Sequence, residues 1–561
     1  MKQEQCTENL SNLASSILRQ IIDECHNGDE AKACREWDTF SNISSLLKIK
    51  YAFQSLFSDK TMPESIQNAS LSEMYRTIQH AETYKNSRLV LWLKLSNDRT
   101  LYRTYANANG LEVEEKFNEW LANHPEIIKQ TTTLDLSKSR LGNLPPEITQ
   151  LTQLKTLKLS DNQLKGLPSD LEALTQLESL DLSHNQIQTI SPAIGKLSQL
   201  KTLKLSSNNI KEISEECGAP TQLEFLDLSN NQIQTISPAI GKLSQLKLLL
   251  LSFNQIQTIP EVVKDLSNLK ELDLSNNKLR TIPNEIGELS QLEVLYLSDN
   301  EIQAIPDAIG KLGKLDELEL YNNKILEISS EIKNLSNLEE LNLSKNRIQT
   351  IPDNFGELKL TKLNLSNNNI KELSPEIAGL TLLQTLDLSH NTIEVITPKI
   401  EALSQLKSLT LLGNYISTLP VEIGKLSKLQ FLNLSQNYIH SLPDEIGELS
   451  ELTTLYLSEN QLPNLPKSVN KLSNLANLSL SKNGFDEFPS EIKELFNLES
   501  LNLSTNLIRT IPLEILNLKK IYDLDLSGNP IAHFPPEIKQ IRYRIIGFTP
   551  KEIEKLTTTQ A

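Results

Sequence analysis

Aromatic residues are scarce in this chain, 5% of its 561 residues, and its hydrophobic content is 38%. A core anchored on a few large rings is excluded. Most of the apolar volume comes from leucine and isoleucine, which must fill space through many small, regular contacts. Cysteine is scarcer still: Cys6, Cys25, Cys34 and Cys217, with no C-x-x-C pair and no zinc spacing. This excludes a disulfide-stapled architecture and predicts a reducing compartment. No run of eighteen apolar residues occurs, so no membrane-spanning helix is expected. The N-terminal Met1–Cys6 leads into no apolar segment of the Sec signal type.

Clustered basic charge is also missing. The formal net charge is −16. Residues 1–130 hold 15 Lys/Arg against 18 Asp/Glu, a net of −3, so the remaining −13 lies on 131–561. Distributed acidity disfavours nucleic-acid and anionic-membrane binding, which rest on clustered Lys and Arg. The sequence has no G-x-x-x-x-G-K-S/T, H-E-x-x-H, G-x-S-x-G or kinase loop. No catalytic residue, metal site or cofactor is expected. The seven histidines are scattered. Cys217 falls in the column held elsewhere by Ile194, Ile240 and Ile286, the place of a buried small hydrophobe rather than a nucleophile.

What the chain does contain is one rule, obeyed from Thr131 onward: L-x-x-L-x-L-S-x-N-x-I-x-x-I-P-x-x-I-G-x-L-x-x. Eighteen units start between 131 and 521, at intervals of 23 except for 22 between 338 and 360. The residue missing between Leu358 and Leu360 predicts a small irregularity on the outer face. The L-x-L core alternates with period 2, so it reads as a short strand with its leucines inward. The Asn column runs from Asn162 to Asn529, with Ser139 in its place in the first unit. An inward Asn after each strand can bond the backbone groups that a turn sets free, and stacked units would form a ladder of such bonds. Ile187 and Ile256 bury the turn. Ile282-Pro283 and Ile305-Pro306 start a turn or short helix, and Ile286 and Leu289 face the core from the outer layer. One unit cannot bury this surface alone; stacking buries it continuously. At about 4.8 Å per strand, eighteen strands span roughly 80 Å.

This pattern resembles the leucine-rich-repeat family over residues 131–543. The I-P-x-x-I-G-x-L segment is similar to the intracellular 23-residue subclass, which includes Ras-pathway and Scribble-type scaffolds and repeat proteins of intracellular bacteria. It differs from the 20-residue bacterial class, whose L-P-x-L-P segments are absent. The resemblance implies an α/β solenoid with a curved parallel sheet on the concave face and short helices or turns on the convex face. It also implies a non-catalytic scaffold that binds a protein partner, a signalling scaffold or a host-directed bacterial effector. Residues 544–561 are too short to house the catalytic domain that follows the repeats in some ubiquitin ligases. Residues 153–198 and 199–244 are aligned copies of a two-unit block whose last 19 residues differ only at His184 and Asn230, the mark of a duplication.

Residues 1–130 lack the repeat and read as a helical module. Apolar residues recur at helical spacing from Leu10 to Cys25, over Trp37–Phe57, over Leu71–Leu95 and over Glu114–Leu121, before His124-Pro125. The module serves either as a cap over the first repeat or as a docking domain. In the docking case the chain is a recruiting subunit, whose helices hold an enzyme while the repeats select its target. Residues 544–561 form a C-terminal cap and tail, with Ile545, Ile546 and Phe548 over the final repeat and a helix from Pro550 to Leu556. A monomer is expected, either cytoplasmic or delivered into a host cytoplasm by a non-Sec route.

The partner surface is read from the strand columns, which are mostly small or charged, as at Thr156, Lys158, Ser179 and Asp181. Against them, Phe225, Leu248, Leu250, Phe253, Val294, Tyr296 and Tyr321 are expected in exposed strand columns as one apolar patch. Glu317 and Glu319 lie on its border with Asp316, Glu339 and Glu340. A second group is Tyr415, Phe431, Tyr438 and Tyr456. Exposed aromatics flanked by charge are the usual composition of a protein-binding hot spot.

Overall fold

The computed structural model describes residues 71–540 and 544–558. The helices expected over 10–25 and 37–57, and the side chain of Cys217, lie outside the described residues. The chain forms two compact units, Met1–Lys204 and Leu205–Ala561.

In the first unit, helices α1 (Leu71–Ser96), α2 (Arg99–Tyr105), α3 (Gly110–Asn123) and α4 (Pro125–Gln130) precede the strands. The last helix read from the sequence begins four residues earlier than expected, because the Asn109 side chain accepts from the Glu112 amide at 3.0 Å and caps α3. The α3 residues Gly110, Val113, Phe117 and Leu121 share one buried face. Trp92 of α1 packs 5.5 Å from Phe117. Four strands follow: β1 (Thr133–Asp135), β2 (Thr156–Lys158), β3 (Ser179–Asp181) and β4 (Thr202–Lys204).

A buried arginine ties helices and repeats together within this unit. Arg88 of α1 is fully buried. Its Nε donates to Glu147 Oε1 at 2.9 Å, and its Nη1 lies 2.9 Å from Glu114 Oε2 of α3. Glu147 is the second residue of the 3-10 turn of the first repeat, Pro146–Gln150, and the Ser87 hydroxyl donates to the Asn143 carbonyl at 2.6 Å nearby. Arg88 Nη2, Glu147 Oε2 and Trp92 Nε1 are buried without a hydrogen-bond partner. The junction therefore places charge in the interior and is sensitive to the loss of either partner.

The second unit carries β5 (Phe225–Asp227), β6 (Leu248–Leu250), β7 (Glu271–Asp273), β8 (Val294–Tyr296), β9 (Glu317–Glu319), β10 (Glu340–Asn342), β11 (Lys362–Asn364), β12 (Thr385–Asp387), β13 (Ser408–Thr410), β14 (Phe431–Asn433), β15 (Thr454–Tyr456), β16 (Asn477–Ser479), β17 (Ser500–Asn502), β18 (Asp523–Asp525) and β19 (Arg544–Ile546). Within each unit the pairings are parallel and in register, so equivalent residues of consecutive repeats stand side by side. In each repeat strand the central Leu is buried, and in most the two flanking residues are half-buried. The alternation of L-x-L is thus a strand with leucine on the inside.

The Asn column forms the expected ladder. Asn300 Nδ2 donates to the carbonyls of Leu297 at 3.0 Å, Ser298 at 3.1 Å and, one repeat back, Leu274 at 3.0 Å. Its Oδ1 accepts from the Leu279 amide at 2.9 Å. In the first repeat, where Ser139 replaces Asn, Asn162 Oδ1 accepts from the Leu141 amide at 2.9 Å, as elsewhere in the ladder, and also from the Ser139 amide at 3.1 Å. The residue before each Asn is left-handed, with φ of 52–57° at non-glycine positions and 68° and 69° at Gly413 and Gly528. Asn, Asp and Gly suit this conformation best. Phe253, at φ 55°, is the one bulky apolar side chain in that column.

On the outer side each repeat makes a 3-10 turn, usually of five residues, such as Asn284–Glu288 after Pro283 at φ −72°. Where Ser replaces Pro, its side chain caps the turn: Ser191 accepts from the Ala193 amide at 3.3 Å. The 22-residue repeat shortens its turn to Phe355–Glu357, and Leu358 is extended at ψ 154°. Here the glycines of two successive turns face each other. A Cβ on Gly379 would meet Gly356 Cα at 2.6 Å, so both positions require glycine.

After the last repeat, β19 pairs with β18, bringing Ile545 beside Leu524. Phe548 meets Phe534 edge-on at 5.3 Å. Helix α5 (Pro550–Thr558) starts with a reciprocal cap: Thr549 N donates to Glu552 Oε2 at 2.7 Å and Glu552 N to Thr549 Oγ1 at 3.3 Å.

Candidate protein-binding face

The strand register sorts the candidate residues into rows. One row reads Phe225, Leu248, Glu271, Val294, Glu317, Glu340, Lys362. The other reads Asp227, Leu250, Asp273, Tyr296, Glu319, Asn342, Asn364. The candidates do not form one continuous apolar patch. Glu271 and Asp273 of β7 stand between Leu248 and Leu250 on one side and Val294 and Tyr296 on the other. The signal was available, since both lie 23 residues after Leu248 and Leu250, but only the pairing makes them intervene.

Two members of the first group are not on strands. Phe253 occupies the left-handed turn after β6 and is 58% exposed. Tyr321 lies in the turn after β9. Phe253 remains three residues from Leu250, at the turn edge of the apolar end.

The second group separates into two pairs. Phe431 of β14 and Tyr456 of β15 meet edge-on at 5.7 Å on the strand face. Tyr415 and Tyr438 follow Asn414 and Asn437 in the turns, stack at 5.8 Å with ring planes 10° apart, and are 51% and 49% exposed.

The carboxylates on β7 to β9 stand in an unusual field. Among the described residues no ion pair includes Glu271, Asp273, Glu317 or Glu319. Burial, with Asp273 and Glu317 nearby, holds the Glu271 carboxyl above the usual range. Burial pushes Glu319 up to about 7; a hydrogen bond from Asn342 opposes this, and Glu317 and Glu340 add to it. Glu319 Oε2 is buried without a hydrogen-bond partner. The Tyr296 phenol is held at about 12, by burial first and then by Glu317, Glu271 and Glu319. The Tyr321 phenol is raised as well, by its hydrogen bond to Asp299. These groups sit in rows along strand edges, and among the described residues no set of three converges as metal ligands would. No described helix is long and apolar enough to cross a membrane.

Comparisons with known proteins agree with this architecture. The profile described as "Leucine rich repeat" matches residues 129–187, 175–233, 198–256, 221–279, 359–416 and 381–439. That described as "Leucine-rich repeat region" matches 260–359 and 418–505. No curated protein matches the chain. Among solved structures, a leucine-rich-repeat protein of Leptospira interrogans is similar at 32% identity, with a TM-score of 0.59, over 76% of this chain and 98% of its own. A plant peptide hormone receptor, solved in complex with RGF2, is similar at 27% identity, with a TM-score of 0.53, over 73% of this chain and 80% of its own. A TDR receptor is similar at 26% identity, with a TM-score of 0.51, over 78% and 94%. With repeats in register within each unit, an asparagine ladder and family matches spread from residue 129 to 505, the chain belongs to the leucine-rich repeat family.

Proposed function

We propose that this chain is a non-catalytic scaffold that holds a protein partner on the strand face of its second unit, over β5 to β9. The observation that carries this reading is the composition of two strand rows. Small and charged residues give way there to Phe225, Leu248, Leu250, Val294 and Tyr296, all half-buried and facing away from the leucine core. Amphipathic rings and apolar groups interleaved with carboxylates are the composition of interface centres. The similar plant receptor solved in complex with RGF2 supports a peptide or protein as occupant. Phe431 and Tyr456 offer a second contact point on the same side of their own strands.

The Arg88 junction supports a capping role for residues 71–130 over a recruiting one, because a docking arm has no need of a buried ion pair to the first repeat. The test is capture of partners from a lysate of the source cell by the intact chain, quantified against Leu250→Glu and Tyr296→Glu. Both substitutions point outward and should leave the unfolding transition in place while capture falls at least about tenfold. Undiminished capture by both overturns the proposed face.

A further inference from the structure

We propose that the face over β5 to β9 takes an extended polypeptide segment running across the strands, with apolar side chains over β5 and β6 and a Lys or Arg over β7 to β9. This rests on the reading that the face holds a protein partner, and it names the chemistry of that partner.

The register supplies the order. Phe225, Leu248 and Leu250 occupy two adjacent strands, with Phe253 at their turn edge. Glu271, Asp273, Glu317 and Glu319 occupy the next three, around Tyr296. Three strand spacings of about 4.8 Å separate β6 from β9, roughly 14 Å, which an extended chain rising about 3.3 Å per residue covers in about four residues. A segment with its apolar anchor about four residues from its cation therefore matches both ends at once.

Charge complementarity selects the cation. In the column just before the strands the protein neutralises its own carboxylates: Lys201 reaches Glu178 at 2.9 Å, Lys247 reaches Glu224 at 2.6 Å and Lys270 reaches Glu293 at 2.7 Å. On the β7 to β9 rows no described lysine or arginine does so, and Lys362, further along, is already engaged by Glu340. The Tyr296 ring lies between Asp273 and Glu319, so a cation there meets an aromatic face as well as carboxylates. The half-buried Glu319 carboxylate has one oxygen, Oε2, without a donor inside the chain, so hydrogen-bond capacity is left over on this side chain for a guanidinium or ammonium. A metal ion fits less well, because the carboxylates are spread along strand edges rather than converging.

The test is selection of short peptides from a random display library on the intact chain, repeated on a Glu271→Lys/Glu317→Lys/Glu319→Lys variant and on a Leu248→Glu/Leu250→Glu variant. The expected result is enrichment of Lys or Arg about four residues from Leu, Ile, Phe or Val. Enrichment should fall at least about tenfold on both variants. The lysine variant should select Asp or Glu in place of the cation. Binding of the best peptide should weaken steeply with salt. Sequences without basic residues that are lost only on the Leu248→Glu/Leu250→Glu variant refute the cationic partner and leave the binding face standing. Enrichment equal on all three chains, or none at all, refutes both. The composition selected by the unaltered chain decides the matter even where a variant fails to fold.

Discussion

Replacing Asn300 by alanine tests the internal logic of the solenoid. The Asn300 side chain donates to the Leu274, Leu297 and Ser298 carbonyls and accepts from the Leu279 amide, all at 2.9–3.1 Å. It is 8% exposed, and Leu279 is fully buried. Alanine leaves the Leu279 N–H without an acceptor and removes one donor from each carbonyl. A buried donor left unpaired costs about 1–3 kcal/mol, and weakened carbonyls add to it, so about 3–5 kcal/mol of local stability should be lost. Because a repeat contacts only its neighbours, the loss should concentrate in the flanking repeats rather than spread evenly. Native-state hydrogen exchange reads this directly: the Leu279 amide and its neighbours in β7 to β9 should exchange about a hundredfold to a few thousandfold faster, about 3–5 kcal/mol converted at 1.4 kcal/mol per decade, while β15 to β17 change little. The matched control is Ser139→Ala, where the ladder's first position lacks Asn and Ser139 Oγ makes only a 3.3 Å bond to Ser137; its effect should stay below about 1 kcal/mol. Unchanged protection of Leu279 in Asn300→Ala, or equal losses in the two variants, would refute the ladder as a source of stability.

Three further outcomes are expected. Arg88→Met leaves Glu147 buried without its partner and should destabilise the first unit by about 3–5 kcal/mol, whereas Arg88→Met with Glu147→Leu should recover most of that in a denaturant titration; no recovery by the double variant contradicts the ion-pair argument. Glu319, with its carboxyl held up at about 7, binds a proton in the folded state that the unfolded chain releases near 4.5. Its contribution to stability is therefore present below about 4.5 and is lost as pH rises through about 7, so stability around β9 should fall across that window, and Glu319→Gln should flatten the slope in pH-resolved unfolding. Phe253→Asn should raise the melting temperature, because asparagine tolerates φ 55° better than a bulky apolar side chain, while peptide capture weakens; a lower melting temperature means that Phe253 is not strained.

Much of the fold was legible because a solenoid turns sequence spacing into spatial adjacency. Residues 23 apart are neighbours, so Leu272, Leu295 and Leu318 could be placed in one column by counting, and the pairing puts them there. The single 22-residue interval likewise marked the shortened turn at Phe355–Glu357. Counting failed where contact does not follow the period. Arg88 and Glu147 are 59 residues apart and join a helix to a repeat, so no periodicity links them. Tyr415, Phe431, Tyr438 and Tyr456 looked like one group in the sequence, but two sit in turns and two on strands, and they pack as separate pairs.

The sequence by itself determined the strands, the inward leucines, the asparagine ladder and the family, because each follows from a local period that nearest-neighbour stacking repeats. Only the tertiary structure decided how the proposed face is divided. Strand register inserts Glu271 and Asp273 between apolar ends, and burial beside Glu317 and Glu340 turns Glu319 from an ordinary surface carboxylate into an acid that titrates near neutrality. Desolvation and the summed field of neighbours depend on three-dimensional surroundings, and no one-dimensional period encodes them.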